Sequence, residues 1–283
     1  MAITSGLERG SQEDPEGHGW SARFLLPSRR LSKVRSSLFP LSGIAAGVAL
    51  WAIAVAVSRG TLIPSPWQVL LALGELAGSG LLVRYVVASL FRVTWGYIGA
   101  ALLAIPLGVV LGMSRRTELA LNPLLQLFRP ISPLAWIPIA ILWFGVGDVS
   151  ATFLIFLASF LPLTVTTMHA VHNIEAVHLS AGLNFGLSRQ QLLRSVIIPA
   201  ILPQLVVGMR ITVGIAWLVV VAAEMIAVNS GLGFLIVDAR NAGNRYDLVV
   251  AGMVLIGLIG VGLDALMRTL ERIDSVRWGY VSD

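Results

Sequence analysis

Four long stretches of the chain hold no Asp, Glu, Lys or Arg: 36–58, 93–114, 130–147 and 149–174. A fifth, 248–263, runs on to Leu266 past a lone Asp264, and a sixth, 195–237, is apolar except for Arg210 and Glu224. A hydrocarbon core about 30 Å thick is crossed by about 20 apolar residues of helix. The pattern therefore predicts six transmembrane helices, at about 41–58, 84–113, 119–144, 150–170, 201–228 and 248–267. The fold class this implies is all-α, a polytopic membrane protein.

Composition points the same way. Hydrophobic residues make up 56% of the 283 and charged residues 12%, against roughly 25% charged in a soluble domain. A disordered chain, a coiled coil and almost any soluble domain of this length are excluded. Cysteine is absent, which excludes disulfides, zinc–thiolate sites, iron–sulfur clusters and cysteine nucleophiles. The net charge of +5 is informative once it is sorted by side. With six spans both termini share one side, which holds thirteen Lys and Arg against four on the other. The positive-inside rule then places both termini in the cytoplasm. The basic excess is thereby accounted for by topology rather than by nucleic-acid binding.

Residues 1–40 are expected to form a polar cytoplasmic tail. Glu8, Glu13, Asp14 and Glu16 precede its basic residues and no apolar core occurs before Leu38, so it does not read as a secretory signal. Its end, Arg29-Arg30-Leu31-Ser32-Lys33-Val34-Arg35, fits either a topological anchor or contact with anionic headgroups. The first helix and its periplasmic connection occupy 41–82, a five-helix core 83–272 with a cytoplasmic loop at 173–199, and a cytoplasmic tail 273–283. No internal repeat is evident.

Small residues and prolines are dense within the spans. Gly96, Gly99, Gly108 and Gly112 suit close helix packing in lipid. The run Arg129-Pro130-Ile131-Ser132-Pro133-Leu134-Ala135-Trp136-Ile137-Pro138 is expected to break a helix inside the membrane and to carry a positive charge with it. Charges in lipid are costly and mark functional suspects. The candidates for a translocation path are Arg92, Arg129, Arg210 and Glu224. Arg210 and Glu224 lie 14 residues apart on one predicted helix, about 21 Å along its axis, so they cannot pair with each other. They either line a polar path between two subunits or find structural partners on neighbouring helices. His169, His172, Glu175 and His178 form a row at helical spacing, compatible with a metal site and equally with a polar edge at the interface.

The loop 173–199 reads as two short helices with a turn at Gly186. Ser188 and Gln191 have capping-box spacing at the start of the second helix. Leu192, Leu193, Val196 and Ile197 give that helix an apolar face, and Pro199 is expected to end it. Such an element fits a groove on a partner or the plane of the headgroups.

In this loop, Ser180-Ala181-Gly182, three residues, Gly186, nine residues and Val196-Ile197-Ile198-Pro199 resemble the EAA loop of bacterial ABC-importer permeases, E-A-A, three residues, G, nine residues, I-x-L-P. Ser180, Gly182, Val196 and Ile198 depart from that pattern. The resemblance covers about residues 60–272. Leu62-Ile63-Pro64-Ser65-Pro66, Ser89-Leu90-Phe91-Arg92, Trp143-Phe144-Gly145-Val146-Gly147, Gly208-Met209-Arg210-Ile211, Ala222-Ala223-Glu224 and Gly231-Leu232-Gly233-Phe234 are similar to segments of the sulfonate/taurine/nitrate/bicarbonate permease group. The resemblance implies a type I (MetI-like) permease fold, two permease copies, two ATPase subunits that hold ATP and magnesium, and a periplasmic or lipid-anchored solute-binding protein. It further implies an ATPase-coupling role for Ser180, Ala181, Gly182, Gly186, Ser188, Val196, Ile198 and Pro199.

The chain itself is expected to bind no cofactor and to be no enzyme. A P-loop needs a lysine after its glycines, and the single lysine is Lys33, in the tail. The function expected is the permease subunit of an ATP-driven importer of a small oxyanion in the bacterial inner membrane. The alternative is a stand-alone secondary anion transporter or channel, which needs no ATPase-docking loop and tends to show duplicated halves.

Overall fold

The computed structural model describes residues 29–58 and 63–271, with side chains described for 42–57 and 63–271. Backbone contacts divide the chain into two compact units after Leu50. The described part of the first is helical throughout and forms the leading stretch of α1 (Arg29–Ser58). The expected tail 1–40 and the tail 273–283 lie largely outside the described residues.

The second unit holds α2 (Pro66–Gly78), α3 (Leu81–Met113), α4 (Arg115–Phe128), a 3₁₀ turn (Pro133–Trp136), α5 (Ile137–Phe144) and α6 (Asp148–His172). These are followed by α7 (Ala176–Asn184), α8 (Arg189–Leu192), a π-turn (Leu193–Ile197), α9 (Ile198–Ala227), α10 (Leu232–Asn241) and α11 (Tyr246–Glu271). Every regular element among the described residues is helical, as apolar surroundings demand of a chain that must satisfy its own backbone.

Four runs are long and apolar enough to cross a membrane: α3, α6, α11 and the continuous stretch Arg189–Ala227. The span expected at 119–144 is two helices, α4 and the stretch Pro133–Phe144, bent by 83° at the break and apolar enough only as a pair. Pro130 and Pro133 cause this. Neither can donate a backbone hydrogen bond, and Ser132, before Pro133, is held in an extended conformation at ψ 132°. The described residues thus carry four spans, or five with the bent pair. The first of the six expected spans corresponds to a shorter apolar helix, Ser42–Val57.

Two helices, α2 and α10, lie in stretches that hydropathy leaves as connections. Ser65 caps α2 by accepting the Gln68 N–H, while the Gln68 side chain takes the Ser65 N–H at 2.8 Å. The structure also corrects the role of Pro199. Instead of ending a helix, it falls in the first turn of α9, and the π-turn before it carries the chain from α8 into the span without a stop. Within that continuous run Pro199 has no N–H to donate, and the π-turn just before it is the local adjustment that lets the helix continue past it.

Glycines bring α3 against α6. A Cβ at Gly96 would lie 2.8 Å from Ile155, one at Gly108 2.5 Å from Thr167, and one at Gly112 2.5 Å from Val171. Gly99 packs more loosely, with the nearest Phe156 atom 3.7 Å from its Cβ position. The buried hydroxyls of α6 are satisfied within the helix: Ser159 donates to the Ile155 carbonyl and Thr167 to the Leu163 carbonyl. Trp217 on α9 donates to the Ile256 carbonyl at 3.0 Å and so fixes α11. A core of Val93, Ile155, Val220, Leu232, Leu235 and Ala251 joins α3, α6, α9, α10 and α11.

Candidate functional site

The loop between α6 and α9 folds as two capped helices. Phe185 ends α7 and Gly186 follows at φ +75°. The Leu187 N–H bonds the Gly182 carbonyl (3.1 Å) and the Gly186 N–H bonds the Leu183 carbonyl (2.9 Å). That pair of bonds is a Schellman cap, whose left-handed residue glycine adopts without steric cost. Ser188 then caps α8 in the predicted box with Gln191.

The inner faces of these helices are anchored. Leu192, Ile197, Leu179, Leu187 and Val196 pack with Ala170 and Val171 at the end of α6 and with Ile201 at the start of α9. Gly182 is where the two helices close: a Cβ there would stand 2.6 Å from Leu192. The other face points away from the protein. Ser180, Ala181, Gly186, Ser188, Ile198 and Pro199 are exposed, Val196 is half-buried, and Phe185 is 85% and Val177 73% exposed.

A second cluster is built on the buried Arg92 of α3. Its Nη1 donates to Glu224 Oε1 (2.6 Å) and to the Ser230 carbonyl (3.0 Å). Its Nε and Nη2 donate to Asp148 Oδ1 (2.9 and 2.7 Å), and Nη2 also reaches the Ser230 hydroxyl. Glu224 Oε2 accepts from the Ser89 hydroxyl and from the Gly233 N–H, each at 2.9 Å. Ser89 in turn accepts the Leu232 N–H. The first N–H groups of α10 thus close over the carboxylate, where the helix N-terminus favours negative charge. Gly231 and Gly233 permit this approach: a Cβ at the first would overlap the Glu224 carboxyl, and at the second the Val221 carbonyl.

The candidate charges fall in three separate places. Arg92 and Glu224 meet in this cluster, within one chain. Arg210 pairs with Asp264 (2.6 Å) and Glu271 (3.2 Å) on α11, and Asp264 also accepts from Arg268. Arg129 caps the end of α4 at the break and makes no ion pair among the described residues. The histidine row divides: His172 lies 3.7 Å from Glu118, and His178 lies 3.9 Å from Glu175. Among the described residues no three His, Asp or Glu side chains are grouped to hold a metal.

Outside the spans, Arg245 bonds Glu75 of α2 at 2.7 Å and holds that carboxyl below the usual glutamate range, by its hydrogen bond first and its charge second. Sequence reasoning gave no site role to Asp148, Ser230 or Glu271, and noted Ser89 only within the segment Ser89-Leu90-Phe91-Arg92. Asp264 was visible as the lone acid of the last apolar run.

The described residues thus form an all-helical bundle of four or five spans with a two-helix loop packed on the ends of two of them. The chain belongs to the family described as the binding-protein-dependent transport system inner membrane component, which matches residues 104–273. It is 37% identical over 217 residues to the taurine transport system permease protein TauC of Escherichia coli, covering 74% of this chain and 78% of that one. It is 35% identical over 227 residues to the putative aliphatic sulfonates transport permease protein SsuC of Bacillus subtilis, covering 80% and 82%. With the bicarbonate transport system permease protein CmpB of Synechococcus elongatus it shares 33% over 252 residues, covering 85% and 90%. A solved structure of the MetNI methionine ABC transporter, in inward-facing conformation, has the same fold. The TM-score is 0.56 at 21% identity, over 68% of this chain and 97% of that one.

Proposed function

We propose that this chain is the membrane-spanning subunit of an ATP-driven importer that moves a small oxyanion, such as a sulfonate, taurine, nitrate or bicarbonate, inward across the bacterial inner membrane. The observation that carries the reading is the loop between α6 and α9. One face of it is packed on two spans while Val177, Leu183 and Phe185 are exposed on the other. In this reading the loop faces the cytoplasm and enters a groove on an ATPase subunit, so that movement of the ATPase turns α6 and α9 together. Ser180, Ala181, Gly182, Gly186, Ser188, Val196, Ile198 and Pro199 form that coupling element. ATP and magnesium belong to the two ATPase chains. One chain offers one loop, so two copies of the permease serve two ATPase subunits. A solute-binding protein, periplasmic or lipid-anchored, delivers the anion and sets most of the specificity. Relatives named for taurine, sulfonates and bicarbonate support the anion class.

Affinity purification of the tagged full chain, co-expressed with a candidate P-loop ATPase from the same genome, tests this. The expected product is a complex with equal numbers of the two chains. A chain that purifies alone and conducts the anion without ATP would instead be a stand-alone transporter or channel.

A further inference from the structure

Of the intramembrane cations, Arg92 and Arg210 are each neutralised by two carboxylates. Arg129 is exposed and makes no ion pair among the described residues. Its depth follows from its neighbours. Phe128, Ile131 and Trp136, on both sides of the break, share a cavity with Phe156 and Phe160 of α6. Phe160 stands twelve residues from each end of α6, about 18 Å at 1.5 Å per residue. Arg129 therefore lies near the middle of the membrane, where a cation facing lipid is strongly disfavoured.

The residues beside it are polar in a line. Asn122, Gln126 and Arg129 are spaced by four and three, which sets them on one side of α4 and its continuation. Gln126 is exposed, and Asn122 Oδ1 is buried without a hydrogen-bond partner among the described residues. Leu124 and Leu127 cover a different, apolar side of the same helix and are exposed. A polar line that ends in an unpaired guanidinium at mid-depth belongs against water inside the assembly, and the leucines belong against lipid.

The geometry points to Arg129 and Gln126 as an anion station half-way along the conducting path. Its ligand is the sulfonate, nitrate or bicarbonate group of the solute carried by the proposed importer, so the inference rests on that reading. The guanidinium fork matches two oxygens of a sulfonate, nitrate or bicarbonate. The Gln126 amide adds one donor. A single cation at the rim of a break binds weakly enough to release its ligand, as conduction requires. Arg92, shut in by Glu224 and Asp148, has no such freedom.

The test uses the complete transporter in liposomes. The chain has no cysteine, so Arg129→Cys introduces the only permease thiol. Uptake by this variant should fall about tenfold or more, as expected for loss of a mid-membrane charge. Its thiol should react with water-soluble methanethiosulfonates. The trimethylammonium reagent, which restores a positive charge, should recover uptake, and the sulfonate reagent should not. Gln126→Cys should be labelled too, and Leu127→Cys should not. An Arg129→Cys thiol that fails to react, or two adducts that restore uptake equally, overturns the station. Labelling needs neither ATP nor transport. An unreactive thiol in a complex that still imports removes the station alone, whereas a wild-type complex that never imports on ATP removes the importer reading.

Discussion

Arg92 on α3 and Glu224 on α9, 132 residues apart in the chain, meet at 2.6 Å with both side chains buried. Every contact Glu224 makes is with a donor: Arg92 on one oxygen, Ser89 and the Gly233 N–H on the other. A glutamine there has only one oxygen, so its NH₂ must confront the guanidinium or the Ser89–Gly233 pair. Glu224→Gln should therefore destabilise the protein, by less than the about 3–5 kcal/mol of a fully broken buried pair, because Asp148 still faces Arg92. Arg92→Met, which leaves Glu224 buried without its cation, should cost about that full amount. The double variant should cost less than the sum, because no lone charge remains buried. Thermal unfolding of the four proteins in one detergent measures this, and strictly additive losses would contradict the pairing.

Gly186 separates conformational from steric effects. No atom lies within 4 Å of its Cβ position, so only its φ of +75° restricts what may stand there. The left-handed conformation costs an ordinary L-residue about 1–2 kcal/mol. Asparagine tolerates it best and a β-branched residue worst. Gly186→Asn should keep ATP-dependent uptake near normal, and Gly186→Val should lose ATPase binding or coupling while still inserting in the membrane. Equal behaviour of the two in co-purification and uptake would remove the turn from the coupling element.

The α3–α6 contact predicts a graded pair. Gly108→Ala places a methyl group 2.5 Å from Thr167 Cβ and 2.6 Å from the Thr164 carbonyl. Overpacking of that kind costs about 1–3 kcal/mol. Gly99→Ala meets its nearest neighbour at an ordinary 3.7 Å and should be nearly neutral. Shifts in the thermal midpoint, in the order wild type, Gly99→Ala, Gly108→Ala, check the packing.

A pH effect follows from Glu75. Its carboxyl is lowered in the folded protein by Arg245, so the contact contributes stability above the ordinary glutamate range and loses it as pH falls through the lowered value. The pair is exposed, so its contribution is small and screened by salt. Wild type should be slightly more stable than Glu75→Gln at pH 7, and the two should converge in acid. A difference that grows as the pH falls would carry the wrong sign.

What the sequence made legible was local. The capping box of Ser188 and Gln191 and the turn at Gly186 are set by neighbours three to five residues away, and both stand where spacing placed them. The helix break at Arg129 was equally legible, because proline acts on its own turn. Long-range pairing was not. Glu224 and Arg92 each stood out as charges in apolar runs, yet no periodicity joins residues so far apart. Asp148 looked like a loop residue after Gly147, although it completes the Arg92 shell. The role of Pro199 was misread because a π-turn, invisible to hydropathy, carries the helix past it. α10 escaped notice because it is too short to span, while its Gly231 and Gly233 close over the Glu224 carboxylate.

The most direct test of the account is uptake of radiolabelled taurine, an alkanesulfonate, nitrate or bicarbonate into liposomes that contain this chain and its ATPase, with the solute-binding protein outside. The account predicts accumulation of one of these anions that requires ATP inside, requires the binding protein, and disappears with Gly186→Val. Accumulation by the chain alone, without ATP or ATPase, would contradict it.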